Sequence, residues 1–191
     1  MREQIRAFVA ILLTEEVRAR VAEEIARLRP LASSVRWVLP HQLHLTLKFL
    51  GERAPAELEL VQEGLAEATE GTAPFTLGFH GLGAFPGLAR PRVFWVGASA
   101  GVEESKNLHA RVERALARRA VPPEDRPFSP HLTIGRARTP SGLSALSEAL
   151  ARGEQKEFGT LGVEALSLMR SDLSPAGPRY TELKIFPFGR K

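Results

Sequence analysis

The tripeptide His-Leu-Thr occurs twice in this chain, each time within a run that alternates apolar and polar residues. The copies at 44–46 and 131–133 contain two of the five histidines. Side chains of a β-strand point alternately to opposite faces of a sheet. Each copy therefore predicts a half-buried strand, with its leucines in the core and with an imidazole and a hydroxyl together on the other face.

The elements predicted around the two copies follow the same order. Hydrophobic periodicity predicts strand, helix, motif strand, helix and strand in the first half of the chain and again in the second. The interval between His44 and His131 nearly equals that between Phe8 and Val93, which lie in the opening strands. A long period that occurs only twice indicates two similar lobes and not a solenoid. We predict a single bilobal domain over 1–191, with approximate repeat halves 1–85 and 92–191 and a linker at 86–92.

Caps, breakers and periodicity predict the bounds of the elements. Thr14 is placed to cap a helix that ends before Pro30, and Pro55 is placed to open the next helix. Strands are predicted at 5–13, 35–39, 43–51, 75–79, 92–99, 131–136, 162–169 and 180–186, and further helices at 102–119 and 141–152.

The composition indicates an ordinary globular protein. Of its 191 residues, 43% are hydrophobic and 25% charged, and no apolar run is long enough to span a bilayer. The absence of cysteine excludes disulfides, cysteine-ligated zinc and thiol nucleophiles, and we expect a cytoplasmic protein. The net charge of +4 comes mainly from arginine, which indicates either an anionic partner or a GC-rich genome.

Two facing lobes would bring the two imidazoles to opposite sides of a space that could hold a phosphate. Histidine titrates near neutrality, so one ring can accept a proton while the other donates one. Cleavage of a phosphodiester needs both transfers, and each contributes on the order of 10²- to 10⁴-fold in rate. Thr46 and Thr133 could donate hydrogen bonds to the non-bridging oxygens, so neither a metal nor another cofactor is required.

Four stretches carry a resemblance to a known family. HLTLKFLG (44–51) and PHLTIGR (130–136), with GLGAFP and RPRVFWVG between them, resemble the two-histidine phosphoesterase superfamily. Within it they are most similar to the bacterial RNA 2',3'-cyclic phosphodiesterases, also called the 2'-5' RNA ligase family. Length and motif spacing agree over essentially the whole chain.

The resemblance implies a bilobal α+β fold, each lobe an antiparallel sheet packed on helices, with the active site between the lobes. It implies metal-independent opening of a terminal 2',3'-cyclic phosphate to a 2'-phosphate. In such enzymes the second histidine is the base and the first the acid, which here makes His131 the proton acceptor and His44 the proton donor. Thr46 and Thr133 would hold the phosphate oxygens. The residues alone do not assign this polarity.

Three further residues are candidates for binding substrate. Arg136 lies where the family often has a phosphate-binding arginine, but it needs Gly135 or a bulge to reach the face of His131. Phe85 is either a surface for stacking a base or a core residue. Lys48 shares the predicted polar face of its strand and is either a phosphate contact or a solvated cation.

The remaining histidines do not indicate a metal site. His41 and His44 are three apart and would face opposite ways on a strand, so joint ligation is not expected. We expect His80 and His109 to lie on the surface.

Three functions remain open. They are a cyclic phosphodiesterase, a 2'-5' ligase that runs the reverse chemistry, and a non-catalytic module that binds RNA ends or nucleotides. The expected partners are RNA with 2',3'-cyclic phosphate ends or small cyclic nucleotides. We expect a monomer that does not associate with membranes.

Overall fold

A computed structural model describes residues 4–175 and 177–189. Within them the chain forms nine strands, four α-helices and two short 3-10 turns, at Arg29–Leu31 and Pro40–Gln42. In chain order the elements are β1 Ile5–Leu12, α1 Glu15–Leu28, β2 Val35–Trp37, β3 His44–Arg53, α2 Pro55–Thr69, β4 Phe75–Phe85, β5 Val93–Ala98, α3 Val102–Ala117, β6 His131–Ala137, α4 Ser144–Arg152, β7 Glu157–Val163, β8 Ala165–Ser174 and β9 Gly177–Pro187.

The strands form one antiparallel sheet in the order β7-β4-β5-β6-β3-β1-β8-β9, and β2 also pairs with β6. The two motif strands, β3 and β6, are neighbours at its centre and pair at Leu45 and Leu132. The predicted α+β class with antiparallel strands packed on helices is confirmed. The strands of the two expected lobes join into a continuous sheet across the motif strands.

Each half of the sheet contains strands from both halves of the sequence. β4 lies on the side of β6, whereas β8 and β9 lie beyond β1. The segment 86–92, predicted as a linker between lobes, connects β4 to its antiparallel neighbour β5 and is a hairpin loop. The repeat therefore describes the order of elements along the chain, and it does not follow the spatial halves of the sheet.

The prediction of a single strand at 162–169 is wrong. β7 and β8 are separate strands with only Glu164 between them, and they pair with β4 and β1 at opposite ends of the sheet. The sheet must curl to bring these ends together. The apolar pattern continues through the junction because Val163 and Leu166 are both buried, so it gives no sign of a break.

The main core lies on the helical face of the sheet. Leu45, Leu47, Leu132 and Ile134 of the motif strands are buried there in one cluster with the apolar faces of the helices. Two helix starts are as predicted: the Thr14 side chain accepts a hydrogen bond from the N–H of Val17, and Pro55 opens α2. The helix predicted from 141 begins at Ser144. The opposite face carries a second, small cluster of Phe8, Ala10 and Met169, with Tyr180 against it. No helix in the described ranges is long and apolar enough to cross a membrane.

The central leucine pair should be a main source of stability. Leu45 and Leu132 are fully buried, so truncating either to alanine leaves a cavity and should lower the free energy of unfolding by about 2–5 kcal/mol. Urea denaturation of Leu45→Ala and Leu132→Ala measures this loss. Leu173→Ala is the control, because Leu173 is 68% exposed and its truncation should change stability by less than about 0.5 kcal/mol.

Candidate active site

The motif residues form a two-fold arrangement on the face opposite the main core. Antiparallel pairing of Leu45 with Leu132 places His44 across from Thr133 and Thr46 across from His131. The four side chains are all partly exposed, whereas the leucines between them are buried. The structure thus brings together the four residues that the sequence predicted as catalytic.

Each motif histidine is held by the backbone in the same way. Nδ1 of His44 lies 2.7 Å from the carbonyl oxygen of Gln42, and Nδ1 of His131 lies 2.7 Å from that of Ser129. A carbonyl oxygen only accepts hydrogen bonds, so Nδ1 of each ring carries a proton and donates it. In the neutral ring Nε2 is then the basic nitrogen. Both imidazoles therefore have Nε2 as the atom that can take or give a proton.

Aromatic side chains surround His44. Its ring centroid is 4.7 Å from that of Phe8 and 5.3 Å from that of Tyr180, which meets it edge-on. The hydroxyl of Thr46 lies 3.0 Å from Nε2. Burial lowers the pKa of His44, and burial also raises the pKa of Tyr180, whose phenol therefore stays a hydrogen-bond donor. The side chains against the ring of His44 are therefore aromatic, apart from the hydroxyl of Thr46.

His131 has aromatic neighbours and also a cation that acts on its ring. Phe85 meets its ring edge-on at 5.1 Å, and Trp95 lies 5.4 Å beyond Phe85. Burial lowers the pKa of His131, and the positive charge of Arg136 lowers it further. Charge as well as burial therefore favours the neutral form of this ring.

A bulge interrupts both motif strands at equivalent positions. Along β3 the pairing with β1 passes from Thr46 to Lys48, and along β6 the pairing with β5 passes from Thr133 to Gly135. The skipped residues, Leu47 and Ile134, each directly follow the threonine. After a bulge the alternation of faces shifts by one residue.

The shift brings Arg136 to the face of His131. Arg136 is exposed, and its charge acts on both His131 and Tyr180. The bulge that the sequence analysis required is therefore present. In β3 the equivalent position is Phe49, which is 57% exposed. The centroid of its ring lies 6.4 Å from that of Phe8.

The same shift removes Lys48 from the site, and its prediction as a substrate contact is wrong. Lys48 is 1% exposed, and its Nζ donates to Glu113 Oε1 at 2.5 Å and to the carbonyl oxygen of Pro122 at 2.9 Å. The alternative of a solvated cation is wrong too. Both assumed unbroken alternation along the strand, which would have placed Lys48 beside His44.

The remaining histidines lie outside the motif pair. His41 is exposed on the 3-10 turn before β3, and His80 is partly exposed, 3.9 Å from Glu157. The expected surface position of His109 is wrong, because its side chain is 14% exposed and stacks on Phe128 at 4.3 Å. Within 4–175 and 177–189, no group of three or more histidine, aspartate and glutamate side chains is placed to hold a metal ion.

Sequence reasoning missed the aromatic residues around His44. Phe8 comes from β1 and Tyr180 from β9, and both reach His44 only because β1 lies between β3 and β8 in the sheet. Tyr180 is the single tyrosine of the chain. That rarity is the one feature of the sequence that could have drawn attention to Tyr180. Its contact with His44 depends on the strand order, which the local sequence does not give.

The antiparallel fold and the paired His-x-Thr strands define a protein of the two-histidine class. The profile of the 2'-5' RNA ligase superfamily matches residues 17–175, and the chain belongs to that superfamily. This match confirms the family predicted from the two motifs.

Relatives of similar length carry a single name. The chain is 33% identical to the RNA 2',3'-cyclic phosphodiesterase of Methanothermobacter thermautotrophicus over 183 residues, which cover 96% of this chain and 98% of that protein. It is 39% identical to the protein of that name from Thermus thermophilus over 189 residues, 95% of this chain and 89% of the relative. These matches confirm the predicted enzyme class.

Solved structures show the same fold. The crystal structure of TT0787 of Thermus thermophilus superposes with a TM-score of 0.81 at 35% identity, covering 96% of this chain and 98% of the other. E. coli LigT complexed with 3'-AMP superposes with a TM-score of 0.79 at 27% identity, covering 98% and 100%.

The buried position of Lys48 and the substrate contact expected from the sequence lead to different effects of its replacement. Lys48→Met leaves Glu113 and the Pro122 carbonyl without their partner and should lower the free energy of unfolding by about 3 kcal/mol. Adding Glu113→Leu should restore part of that loss, because it removes the unpaired carboxylate. Chemical denaturation measures both. A Lys48→Met protein of unchanged stability but with weakened substrate binding would contradict the buried ion pair.

Proposed function

We propose that this protein hydrolyses the 2',3'-cyclic phosphate ends of RNA to 2'-phosphates, without a metal ion, using His44 as general acid and His131 as general base. The observation that supports it most is the matched pair of imidazoles on adjacent strands, each with Nδ1 fixed by a backbone carbonyl. The names of the relatives support the same general activity.

The proposed reaction is a single in-line displacement. Nε2 of His131 takes a proton from a water molecule as its oxygen forms a bond to phosphorus. The bond between phosphorus and the 3'-oxygen breaks on the opposite side, and His44 gives its proton to that oxygen. Thr46, Thr133 and Arg136 bind the non-bridging oxygens, where negative charge increases in the transition state. Protons and charges balance without a metal ion.

The surroundings of the two rings support this polarity. Arg136 makes a proton on His131 less favourable, which suits a base that must be neutral at the start of the reaction. Burial lowers the pKa of His44, and no cation in the described part of the chain contributes to that shift. A phosphate anion bound between the rings would raise the pKa of both, and the charge of Arg136 opposes that rise at His131, so His44 is the better proton donor once substrate is present.

We propose RNA ends or small cyclic nucleotides as substrates, bound by a monomer. The relative E. coli LigT has been crystallised with 3'-AMP and with ATP, which supports the binding of a nucleotide. Phe85 stays a candidate for stacking a base, because its ring flanks His131 on the same face of the sheet.

Removing either imidazole should abolish most of the activity. His44→Ala and His131→Ala should each lower turnover of a 2',3'-cyclic phosphate by at least ~10²-fold, since each removes one proton transfer. The assay contains EDTA, and chromatography identifies the 2'-phosphate. His41→Ala is the matched control, because His41 is exposed on the turn before β3. If the wild-type protein binds the RNA end tightly but forms no product, it is a binding module and not an enzyme.

The pH dependence should report both rings. Both pKa values lie below the ordinary 6.5 in the free protein, so kcat/KM should be bell-shaped with its optimum below about pH 6.5. The acidic limb marks protonation of the base, and the basic limb marks loss of the proton from the acid. A profile that is flat from pH 5 to 9 would contradict the acid–base pair.

Replacing Arg136 tests the order in which the two rings titrate. Arg136→Ala removes a positive charge that lowers the pKa of His131, so that pKa should rise. The proposal that the base His131 titrates below the acid His44 predicts that the acidic limb of kcat/KM moves to higher pH, and a shift of the basic limb would contradict that order. Arg136→Lys keeps the charge and should leave both limbs in place.

A further inference from the structure

Two arginines stand directly opposite each other on the face of the sheet that carries the motif residues. Arg36 of β2 pairs with Arg136 of β6, and both side chains are exposed. Val35 is buried in the main core, so the next residue, Arg36, must point to the opposite face. Arg138 follows Arg136 by two residues and is exposed as well. Arg36, Arg136 and Arg138 are called the arginine cluster below.

No carboxylate offsets the charge of the arginine cluster. Like charges directly opposite on adjacent strands destabilise the pairing of those strands. Arg20 and Arg119 on the helices form ion pairs with glutamates, whereas within residues 4–175 and 177–189 no carboxylate pairs with a member of the cluster. A bound anion would remove the repulsion between the two opposed arginines. The cluster is therefore built to hold an anion.

Strand β2 continues the line of β3 along β6. Both strands pair with the edge of β6 opposite β5, β3 at Leu132 and β2 at residues 135–137. Arg36 therefore lies beyond the start of β3, which is the end that carries His44. The arginine cluster is thus on the His44 side of the two motif rings.

The spacing along β6 matches that of a nucleic acid strand. Thr133, which lies across from His44, and Arg136 are separated by two steps of the pairing with β5, because Ile134 is skipped. At roughly 3.3 Å per residue, two steps span about 7 Å. Consecutive phosphates of an extended single strand are a similar distance apart. A phosphate bound by the motif threonines would therefore have its neighbour along the strand at the arginine cluster.

The proposed reaction decides which part of the substrate points to the arginine cluster. The 3'-oxygen leaves towards His44, so the ribose of the cyclic phosphate lies on that side of phosphorus. The 5'-oxygen of the same ribose carries the phosphate that joins the terminal nucleoside to the rest of the RNA. The chain upstream of the reacting end is therefore directed to the arginines.

We infer that Arg36 and Arg138 form a second anion-binding subsite, which takes the phosphodiester on the 5' side of the terminal nucleoside. The planar guanidinium group of arginine matches the oxygens of a phosphate. Arg136 borders both subsites, since its charge also acts on His131. A cyclic mononucleotide lacks the second phosphate, so the ends of RNA chains are the better substrates. This inference rests on the proposed function and on its assignment of His44 as acid.

The experiment compares three substrates that differ only upstream of the reacting group. They are adenosine 2',3'-cyclic phosphate, the dinucleotide ApA ending in a 2',3'-cyclic phosphate, and the same dinucleotide with a neutral methylphosphonate as its internal linkage. The wild type should hydrolyse the charged dinucleotide with a kcat/KM about tenfold above that of the neutral one, as one charge-assisted contact provides. The gain should come from a lower KM, because the internal linkage does not react.

Arg36→Gln removes a charge of the subsite without touching the residues of the proposed reaction. It should lower kcat/KM for the charged dinucleotide about tenfold and leave the other two substrates within about twofold. The slope of log(kcat/KM) against log[salt] for the charged dinucleotide should become shallower by about 0.7, the loss of one phosphate contact on a single strand. Arg152→Gln is the matched control, because Arg152 is 71% exposed on α4, which packs on the main core.

Two outcomes overturn the inference while the proposed function stands. They are equal hydrolysis of the charged and neutral dinucleotides by the wild type, and an equal effect of Arg36→Gln on both. If the wild type hydrolyses none of the three substrates, calorimetric titration with the two dinucleotides tests the subsite alone. Tighter binding of the charged dinucleotide that Arg36→Gln abolishes would then support the subsite and reject the proposed function, and equal binding would reject both.

Discussion

The contact on which the site depends is the packing of Leu45 beside Leu132 at the centre of the sheet. Because both leucines are buried among the helices, the residues on either side of each must face the other way. Antiparallel pairing then relates the two His-x-Thr copies by an approximate two-fold axis through the leucine pair. The hydrophobic effect on one face of the sheet thus positions the two imidazoles and the two threonine hydroxyls on the other.

The two copies share their geometry but differ in charge. Both strands have a bulge at the residue directly after the threonine, so the second residue after the threonine points inwards and the third points outwards. In β3 these residues are Lys48 and Phe49, and in β6 they are Gly135 and Arg136. The ring of His44 therefore has only aromatic and hydroxyl side chains against it among the described residues, whereas the charge of Arg136 acts on His131. A symmetric backbone can in this way hold two imidazoles with different proton affinities.

The alternation of apolar and polar residues made the two motif strands, their buried leucines and the four motif side chains predictable. It failed at Lys48, because a bulge depends on how the partner strand pairs and not on the residues that shift. It also failed for Phe8 and Tyr180, which meet at His44 only through the strand order. Arg136 could be predicted because the family resemblance named the position while the alternation placed it on the wrong face. Local sequence patterns thus predict which side chains share one face of a strand, and the strand order of the sheet decides which strands lie side by side.

The buried ion pair of Lys48 connects the first motif strand to the segment that leads into the second. Its Nζ binds the Pro122 carbonyl, and the N–H of Phe49 donates to the carboxylate of Glu124 in the same segment. Further along the same segment, Phe128 stacks on His109. The next residue, Ser129, accepts the hydrogen bond from Nδ1 of His131 through its carbonyl oxygen. Burying a charge costs free energy, and a buried pair breaks even only where its geometry is well defined. Such a pair favours a single arrangement of its neighbours, and here that arrangement holds the imidazole of His131 relative to the strand that carries His44.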